Sequence, residues 1–107
     1  MMRPLIALAA LATAGSCTAK PDETEANRAV VTDFARLFYD ERDVKDAFEK
    51  YVSTDYTQHN PNIPDGRDAA IAALAPMFSR EGASFDVKRI IVDGDMAVIH
   101  LHGRTDP

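Results

Sequence analysis

Residues 85–103 read FDVKRIIVDGDMAVIHLHG, and they contain two β-type runs separated by a short turn. The runs, 85–92 and 96–103, are rich in valine and isoleucine, and Gly94 lies between them. Two such runs across a glycine-containing turn predict an antiparallel hairpin. Because both strands of a lone hairpin are edges, a hairpin is marginal in water without further structure around it.

Three helical patterns precede the hairpin. Apolar residues recur in each at three- and four-residue steps, which predicts amphipathic helices. The patterns cover residues 26–39, 43–52 and 67–80. Asp43 is the predicted N-cap of the second helix, and Pro76 is expected to kink or shorten the third. Residues 54–66 lack any period and carry turn signals, so the order helix, helix, helix, hairpin predicts an α+β fold.

The end of the chain bears on the completeness of this fold. Pro107 follows the second run closely. Since the hairpin would leave two unpaired strand edges, we expect the domain to be truncated at its C-terminus, with further strands beyond. The alternative is a complete small α+β domain whose free edge pairs with another copy of the chain.

The composition is that of one ordinary folded domain: 107 residues, 46% hydrophobic and 27% charged. A total of 12 Lys and Arg against 17 Asp and Glu gives a formal charge of −5. Nucleic-acid binding requires a basic surface that neutralises phosphates, so this acidic balance argues against a nucleic-acid partner. No apolar run of the sequence is long enough to span a bilayer as a stable helix.

Residues 1–17 have the three parts of an export signal. Arg3 gives the positive start, LIALAALATA at 5–14 is the apolar stretch, and small residues precede the only cysteine, Cys17. This stretch resembles the lipobox of bacterial lipoproteins, in which the cysteine is acylated. We therefore expect a periplasmic or cell-envelope lipoprotein that contacts the membrane only through a lipid on Cys17; a plain signal peptide is the alternative. Residues 18–25 predict a polar tether to the folded domain, 26–107.

The loop between the second and third predicted helices carries a specific motif. Residues 56–67 read YTQHNPNIPDGR, which has the form Y-x-QHNP-x-x-x-DGR. This segment resembles SnoaL-like proteins of the nuclear transport factor 2 (NTF2-like) superfamily. The leading helix and the FDVKR and DGD segments of the hairpin are similar to that family as well, so the resemblance covers residues 26–107.

The resemblance implies a cone-shaped fold, in which helices pack inside a strongly curved, mostly antiparallel sheet and enclose one pocket. It also implies chemistry without a cofactor. The enzyme that names the family closes a ring by intramolecular aldol condensation, with a carboxylate on one of the later strands as acid and base. Those strands would follow Pro107, so no residue of this chain is given the carboxylate's role. Other members of the superfamily bind without catalysis, and fold alone does not decide between the two.

Tyr56, His59 and Asn60 are the candidate site residues of this loop, which lies at the pocket mouth in the family. His59 can move a proton near neutral pH, Asn60 can stabilise an oxyanion, and Tyr56 can offer its phenol to a ligand. Each has a structural alternative: His59 and Asn60 as braces of the turn, and Tyr56 as a core aromatic. Arg67, next along the chain, is expected to pair with a nearby acid.

His100 and His102 alternate along the second strand and share one face, while Ile99 and Leu101 take the other. If the histidine face lines the hollow, His100 joins His59 as a catalytic candidate and His102 is a ligand-binding one. If it faces outward, both are ordinary surface residues. A His-x-His pair can bind zinc, but nothing in the spacing requires a metal and we predict none.

Two functions remain open at this point. The first is a cofactor-independent enzyme of the aldol cyclase or isomerase type, which abstracts a proton next to a carbonyl of a small organic molecule. The second is a non-catalytic envelope lipoprotein whose pocket holds a small apolar ligand. A homodimer is expected for the full-length protein, because many relatives bury the outer face of the sheet against a second copy.

Overall fold

The structure, a computed structural model, describes residues 22–106. The predicted export signal, Cys17 and the start of the tether lie outside the described residues. The elements are α1 (Thr24–Ala35), a π-helical turn (Arg36–Asp40), α2 (Val44–Tyr51), α3 (Arg67–Phe78), β1 (Ser84–Asp93) and β2 (Met96–Arg104). Among the helices of this range, none combines the length and apolar character that crossing a bilayer requires.

Helix α1 begins at Thr24, within the segment that the sequence assigns to the tether. The carboxylate of Asp22 accepts hydrogen bonds from the hydroxyl and the backbone N–H of Thr24, at 2.6 and 2.9 Å. These two bonds stabilise the charged carboxylate and hold the pKa of Asp22 below its usual value. The first turn of the helix is thereby tied to the residue that precedes it.

The helix predicted over 26–39 continues past α1 as a π-helical turn, which the sequence did not predict. In this turn the N–H of Glu41 donates to the carbonyl of Arg36 over 3.0 Å. The adjacent residues Leu37 and Phe38 of this turn both lie in the core. The turn therefore contributes two large apolar side chains to the core.

Helix α2 starts as predicted, because the side chain of its N-cap Asp43 accepts a hydrogen bond from the Asp46 N–H at 3.0 Å. Helix α3 ends at Phe78, before the predicted limit. Pro76 lies in its last turn and has no N–H to donate, so the helix ends soon after it. Gly66 makes the entry into α3 with a φ of +105°, a backbone conformation that favours glycine.

Strands β1 and β2 form the predicted antiparallel hairpin. Asp93 pairs with Met96, so the connecting turn has two central residues. Gly94, the first of them, has a φ of +58°, the left-handed conformation that two-residue hairpin turns demand. The glycine-containing turn expected from the sequence is therefore confirmed.

A β-bulge at Lys88 adds one residue to β1 relative to β2, which the sequence analysis missed. Val87 pairs with Leu101 and Arg89 with His100, so Lys88 has no partner of its own. The extra residue shifts the alternation of side chains by one position. Arg89 is consequently exposed, while the covered face of β1 stays apolar on both sides of the bulge.

The helices cover one face of the sheet, and the core lies between them and that face. Its buried residues are Leu37, Phe38, Val44, Ala47, Phe48, Ala70 and Phe78. Phe38 lies at the centre, with ring centroids 5.1 Å from Phe34 and 4.5 Å from Phe78. Phe78 and Phe85 stack 4.0 Å apart and join α3 to β1. This arrangement confirms the α+β class, and the further strands expected after β2 stay a prediction.

Hydrogen bonds fix two connecting segments, the hairpin turn and the segment before α2, to the rest of the fold. The Nδ2 of Asn27 donates to the carbonyl of Gly94 at 2.8 Å, and the N–H of Gly94 donates to the hydroxyl of Thr24 at 2.9 Å. The start of α1 is thereby fixed to the hairpin turn. Arg42, in the left-handed conformation at φ +57°, donates from Nη1 to the carbonyl of Ala83 at 3.0 Å.

Candidate ligand-binding site

A cavity of about 430 Å³ opens between the helices and the loop 54–66. Its walls are aromatic and aliphatic. They comprise Phe34, Phe38, Tyr39, Phe48, Val52, Tyr56, Ile63, Leu74 and Phe78. Two amide side chains, Gln58 and Asn60, complete the lining within residues 22–106. A cavity of this size, mostly apolar with a few polar groups, has the character of a small-molecule site.

The π-helical turn and α2 supply the aromatic floor of the cavity. The ring of Tyr39 lies edge-on to Phe38 with centroids 4.7 Å apart, and that of Tyr56 lies edge-on to Phe48 at 5.7 Å. Burial raises the pKa of Tyr39 above its usual value, because a half-buried phenolate loses hydration. Tyr39 therefore contributes a neutral phenol to the wall at physiological pH.

The loop is held by hydrogen bonds from its backbone to its own polar side chains. The N–H of Gln58 donates to Oδ1 of Asp65 at 2.7 Å, and the N–H of Asn60 donates to Oε1 of Gln58 at 2.9 Å. The N–H of Asn62 donates to Oδ1 of Asn60 at 3.0 Å, and that of Ile63 to the Asn60 carbonyl at 3.1 Å. The loop is thus a series of side-chain-stabilised turns that fixes the amides at the cavity rim.

Comparison with protein families identifies the chain, since residues 31–107 match the SnoaL-like domain. The chain belongs to the SnoaL-like family. This family lies in the nuclear transport factor 2 superfamily and in general includes cofactor-independent cyclases and isomerases. The match spans the loop motif and both strands, and it confirms the resemblance drawn from residues 56–67. Neither a curated protein nor a solved structure matches the chain.

In this SnoaL-like domain, Tyr56 and Asn60 line the cavity together, and their roles toward a ligand stay predictions. Asn60 also braces the turn through its side chain, so both of its expected roles are compatible. His59, between them, is exposed and does not line the cavity. Its role as an acid or base stays a prediction.

His100 and His102 share one face of the sheet, and the structure places that face away from the helices of the SnoaL-like domain. Both are exposed, whereas Ile99 and Leu101 are half-buried. Ile99 also borders an apolar groove against α1, which fixes the covered side of β2. Of the two orientations that the sequence leaves open, the structure therefore shows the outward one, and neither His100 nor His102 lines the cavity. The physical reason is that the two aliphatic side chains of β2 pack on the helix layer, which turns the alternating histidines outward.

Arg67 stabilises the connection below the loop in a way that differs from the prediction. Its Nη1 donates to the carbonyl of Val52 at 3.2 Å, and it forms no ion pair with a neighbouring acid among residues 22–106. Its Nε is buried without a hydrogen-bond partner in the same range. Within the described part of the chain, no three His, Cys, Asp or Glu side chains are placed to hold a metal ion.

Sequence reasoning gave no role to Gln58 or Tyr39, which both line the cavity. Gln58 is part of the QHNP motif, so the motif itself was the available signal. Tyr39 is the last residue of the first predicted helix and belongs to the π-helical turn in the structure. Helical periodicity does not tell which residues of such a segment border a cavity.

Proposed function

We propose that this SnoaL-like protein binds a small, largely apolar organic molecule in the cavity between its helices and the loop 54–66. The observation that carries the proposal is the lining, in which aromatic and aliphatic side chains surround two amides. Aromatic walls favour a flat ring system, because ring faces and edges pack well against each other. The amides at the rim provide orientation, as the few polar groups of small-molecule sites commonly do.

Binding of an aromatic probe tests this proposal. We expect acetylnaphthalene to bind saturably in isothermal titration calorimetry, and the substitution Ile63→Trp to weaken it by about tenfold or more, because the larger side chain fills the cavity. Ile63 lies on the half-buried loop wall. Ile91→Trp is the matched control, since Ile91 is 55% exposed on the outer face of the sheet. Absence of saturable binding, or equal weakening by both substitutions, would contradict the proposal.

A second candidate function is catalysis by proton abstraction next to a carbonyl, of the aldol cyclase or isomerase type. The observation that favours it is the position of Asn60 at the cavity rim, directly after His59. An amide N–H there can stabilise the enolate oxygen, and His59 can act as the base once it turns toward a bound ligand. Among residues 22–106, no carboxylate or imidazole lines the cavity, which is why binding is the first proposal.

Hydrogen exchange separates the two candidates. An enzyme of this kind should exchange the hydrogens next to the ketone of a bound methyl ketone with deuterium oxide, as followed by NMR, without any added cofactor. His59→Gln should slow the exchange by about a hundredfold or more, since general acid–base catalysis contributes at least that much. Binding without exchange would identify a non-catalytic binding protein.

We also propose that the protein is exported and anchored as a lipoprotein through Cys17. The support is the sequence LIALAALATA followed by AGSC, which has the order of a lipoprotein signal. Cys17→Ser should abolish incorporation of a labelled fatty acid. Ser16→Ala keeps a small residue before the cysteine and serves as control. Unchanged incorporation of the fatty acid in Cys17→Ser would contradict the lipid anchor.

A further inference from the structure

We propose that the cavity selects its ligand with two side-chain amides held as hydrogen-bond donors, Gln58 and Asn60, so that its ligands are apolar ring molecules bearing a carbonyl or similar acceptor oxygen. The inference rests on the proposed function and adds the class of ligand to it. It starts from the hydrogen bonds that these two side chains already make within the loop.

The oxygen of each amide is engaged by the backbone. Oε1 of Gln58 accepts from the N–H of Asn60 at 2.9 Å, and Oδ1 of Asn60 accepts from the N–H of Asn62 at 3.0 Å. A backbone N–H can only donate, so the atom that it meets has to be the amide oxygen and not the amide nitrogen. The backbone of the loop therefore decides the orientation of both amides.

The nitrogens of the two amides are the groups left free. Neither Nε2 of Gln58 nor Nδ2 of Asn60 has a hydrogen-bond partner among residues 22–106. Both side chains line a cavity whose other walls are aromatic and aliphatic. An N–H group facing such walls gains from a ligand acceptor, because the walls offer it none.

The absence of charged side chains from the described lining further restricts the class of ligand. Within residues 22–106, no Lys, Arg, Asp or Glu lines the cavity, so neither a carboxylate nor an ammonium group on a ligand finds a charged partner there. A neutral ketone, ester or quinone oxygen matches two N–H donors. A hydrocarbon of the same shape offers neither donor an acceptor, and a site built on hydrogen bonding rejects such an analogue.

Two isosteric probes test the selection. Acetylnaphthalene and isopropenylnaphthalene differ only by a carbonyl oxygen in place of a methylene group. We expect the ketone to bind about tenfold or more tightly than the alkene, since each hydrogen bond contributes about a factor of three to ten. Isothermal titration calorimetry with both probes measures the ratio.

Substituting each amide by a carboxylate removes the hydrogen-bond donor and keeps the hydrogen bonds within the loop. In Gln58→Glu and Asn60→Asp an oxygen still accepts the same backbone N–H, whereas the amide donor is replaced by a negatively charged oxygen that repels a carbonyl. We expect each variant to keep its unfolding midpoint in urea and to lose the preference for the ketone. Asn62→Asp is the matched control: it adds the same charge to the same loop, but Asn62 does not line the cavity, and the preference should persist.

The outcomes separate this inference from the function on which it rests. Equal affinity of the wild-type protein for the two probes would overturn donor selection and leave the binding cavity standing. The same holds if Gln58→Glu and Asn60→Asp both retain the ketone preference. If neither probe binds the wild-type protein, the proposed function fails, and the inference fails with it.

Discussion

The side chain of Asp43 holds the beginning of α2, a helix of only 8 residues that contributes Phe48 to the cavity wall. Its carboxylate accepts a hydrogen bond from the Asp46 N–H, one of the donors that a helix start leaves unpaired. We expect Asp43→Ala to lower the free energy of unfolding by about 1 kcal/mol, and Asp43→Asn by only a few tenths, because asparagine caps as well. Urea unfolding measures both.

Asp40→Ala is the control for this substitution. Asp40 is an exposed acid just before α2, and its removal deletes the same charge without touching a cap. The free energy of unfolding should change by less than about 0.5 kcal/mol. If Asp40→Ala and Asp43→Ala destabilise equally, charge and not capping explains the effect of Asp43.

Tyr39 makes the free energy of unfolding depend on pH in the alkaline range. Burial raises its pKa above the ordinary value of 10.0, so the folded state holds the phenolic proton more tightly than the unfolded chain does. Its contribution to stability is therefore complete below pH 10.0 and is lost as the pH rises through the folded pKa. We expect the free energy of unfolding, measured in urea at increasing alkaline pH, to fall less steeply in Tyr39→Phe than in the wild-type protein. Identical slopes would contradict this.

The bulge at Lys88 is the main irregularity of strand β1. Lys88 is the residue without a partner, so its deletion would restore regular alternation and keep every other side chain of β1 on its present face. We expect the variant with Lys88 deleted to fold with the same hairpin register, at a cost of about 1 kcal/mol or less, as typical of small changes at exposed positions. Urea unfolding and cross-strand NMR contacts between Val87 and Leu101 check stability and register.

Deletion of Ile91 is the matched control, because it removes one residue from the same strand at an exposed position. Without a bulge to absorb the change, either Val92 moves to the outer face or Arg89 moves to the covered one. We expect a loss of about 2 kcal/mol or more, since a buried aliphatic side chain is exposed or a charge is buried. Equal tolerance of both deletions would show that register is not set by the covered face.

The sequence predicts the elements of this fold better than their irregularities. Helical and strand periodicity locate the helices and the hairpin, and Asp43 and Gly94 are identified by chemistry that acts locally. The bulge at Lys88 and the π-helical turn arise from packing against other elements, which periodicity alone does not contain. The adjacent charges of Lys88 and Arg89 were the one local sign that alternation changes there.

In the candidate site, too, locally determined features are predicted from the sequence and those that depend on packing are not. The motif of residues 56–67 contains Tyr56 and Asn60, which line the cavity, because a loop fixed by its own turns places its side chains locally. Their roles toward a ligand stay predictions. The direction of His100 and His102 depends on which face of β2 the helices cover. Alternation tells which residues share a face, but both faces of β2 carry aliphatic residues, so the sequence left the choice open.

The outer face of the sheet carries the three most exposed large hydrophobic side chains of the described residues. Ile91, Met96 and Val98 are 55%, 68% and 56% exposed, and Ile91 pairs directly with Val98 across the hairpin. Contiguous exposed apolar patches commonly mark surfaces that contact a partner. The homodimer expected from the family resemblance would cover them by placing two such faces against each other, an isologous contact.

Sedimentation equilibrium tests this expectation. We predict that the wild-type protein associates to a dimer at micromolar concentration and that Val98→Lys raises the dissociation constant by about tenfold or more, because a two-fold contact buries the introduced charge twice. Val30→Lys is the matched control, since Val30 is 47% exposed on α1, on the opposite side of the sheet from Val98. The dissociation constant of this control should stay within about threefold of the wild-type value. Substitutions at surface positions typically change the free energy by about half a kcal/mol or less, which corresponds to such a factor. A wild-type protein that sediments as a monomer would contradict the dimer, and equal weakening by both substitutions would place the contact elsewhere than on the outer face of the sheet.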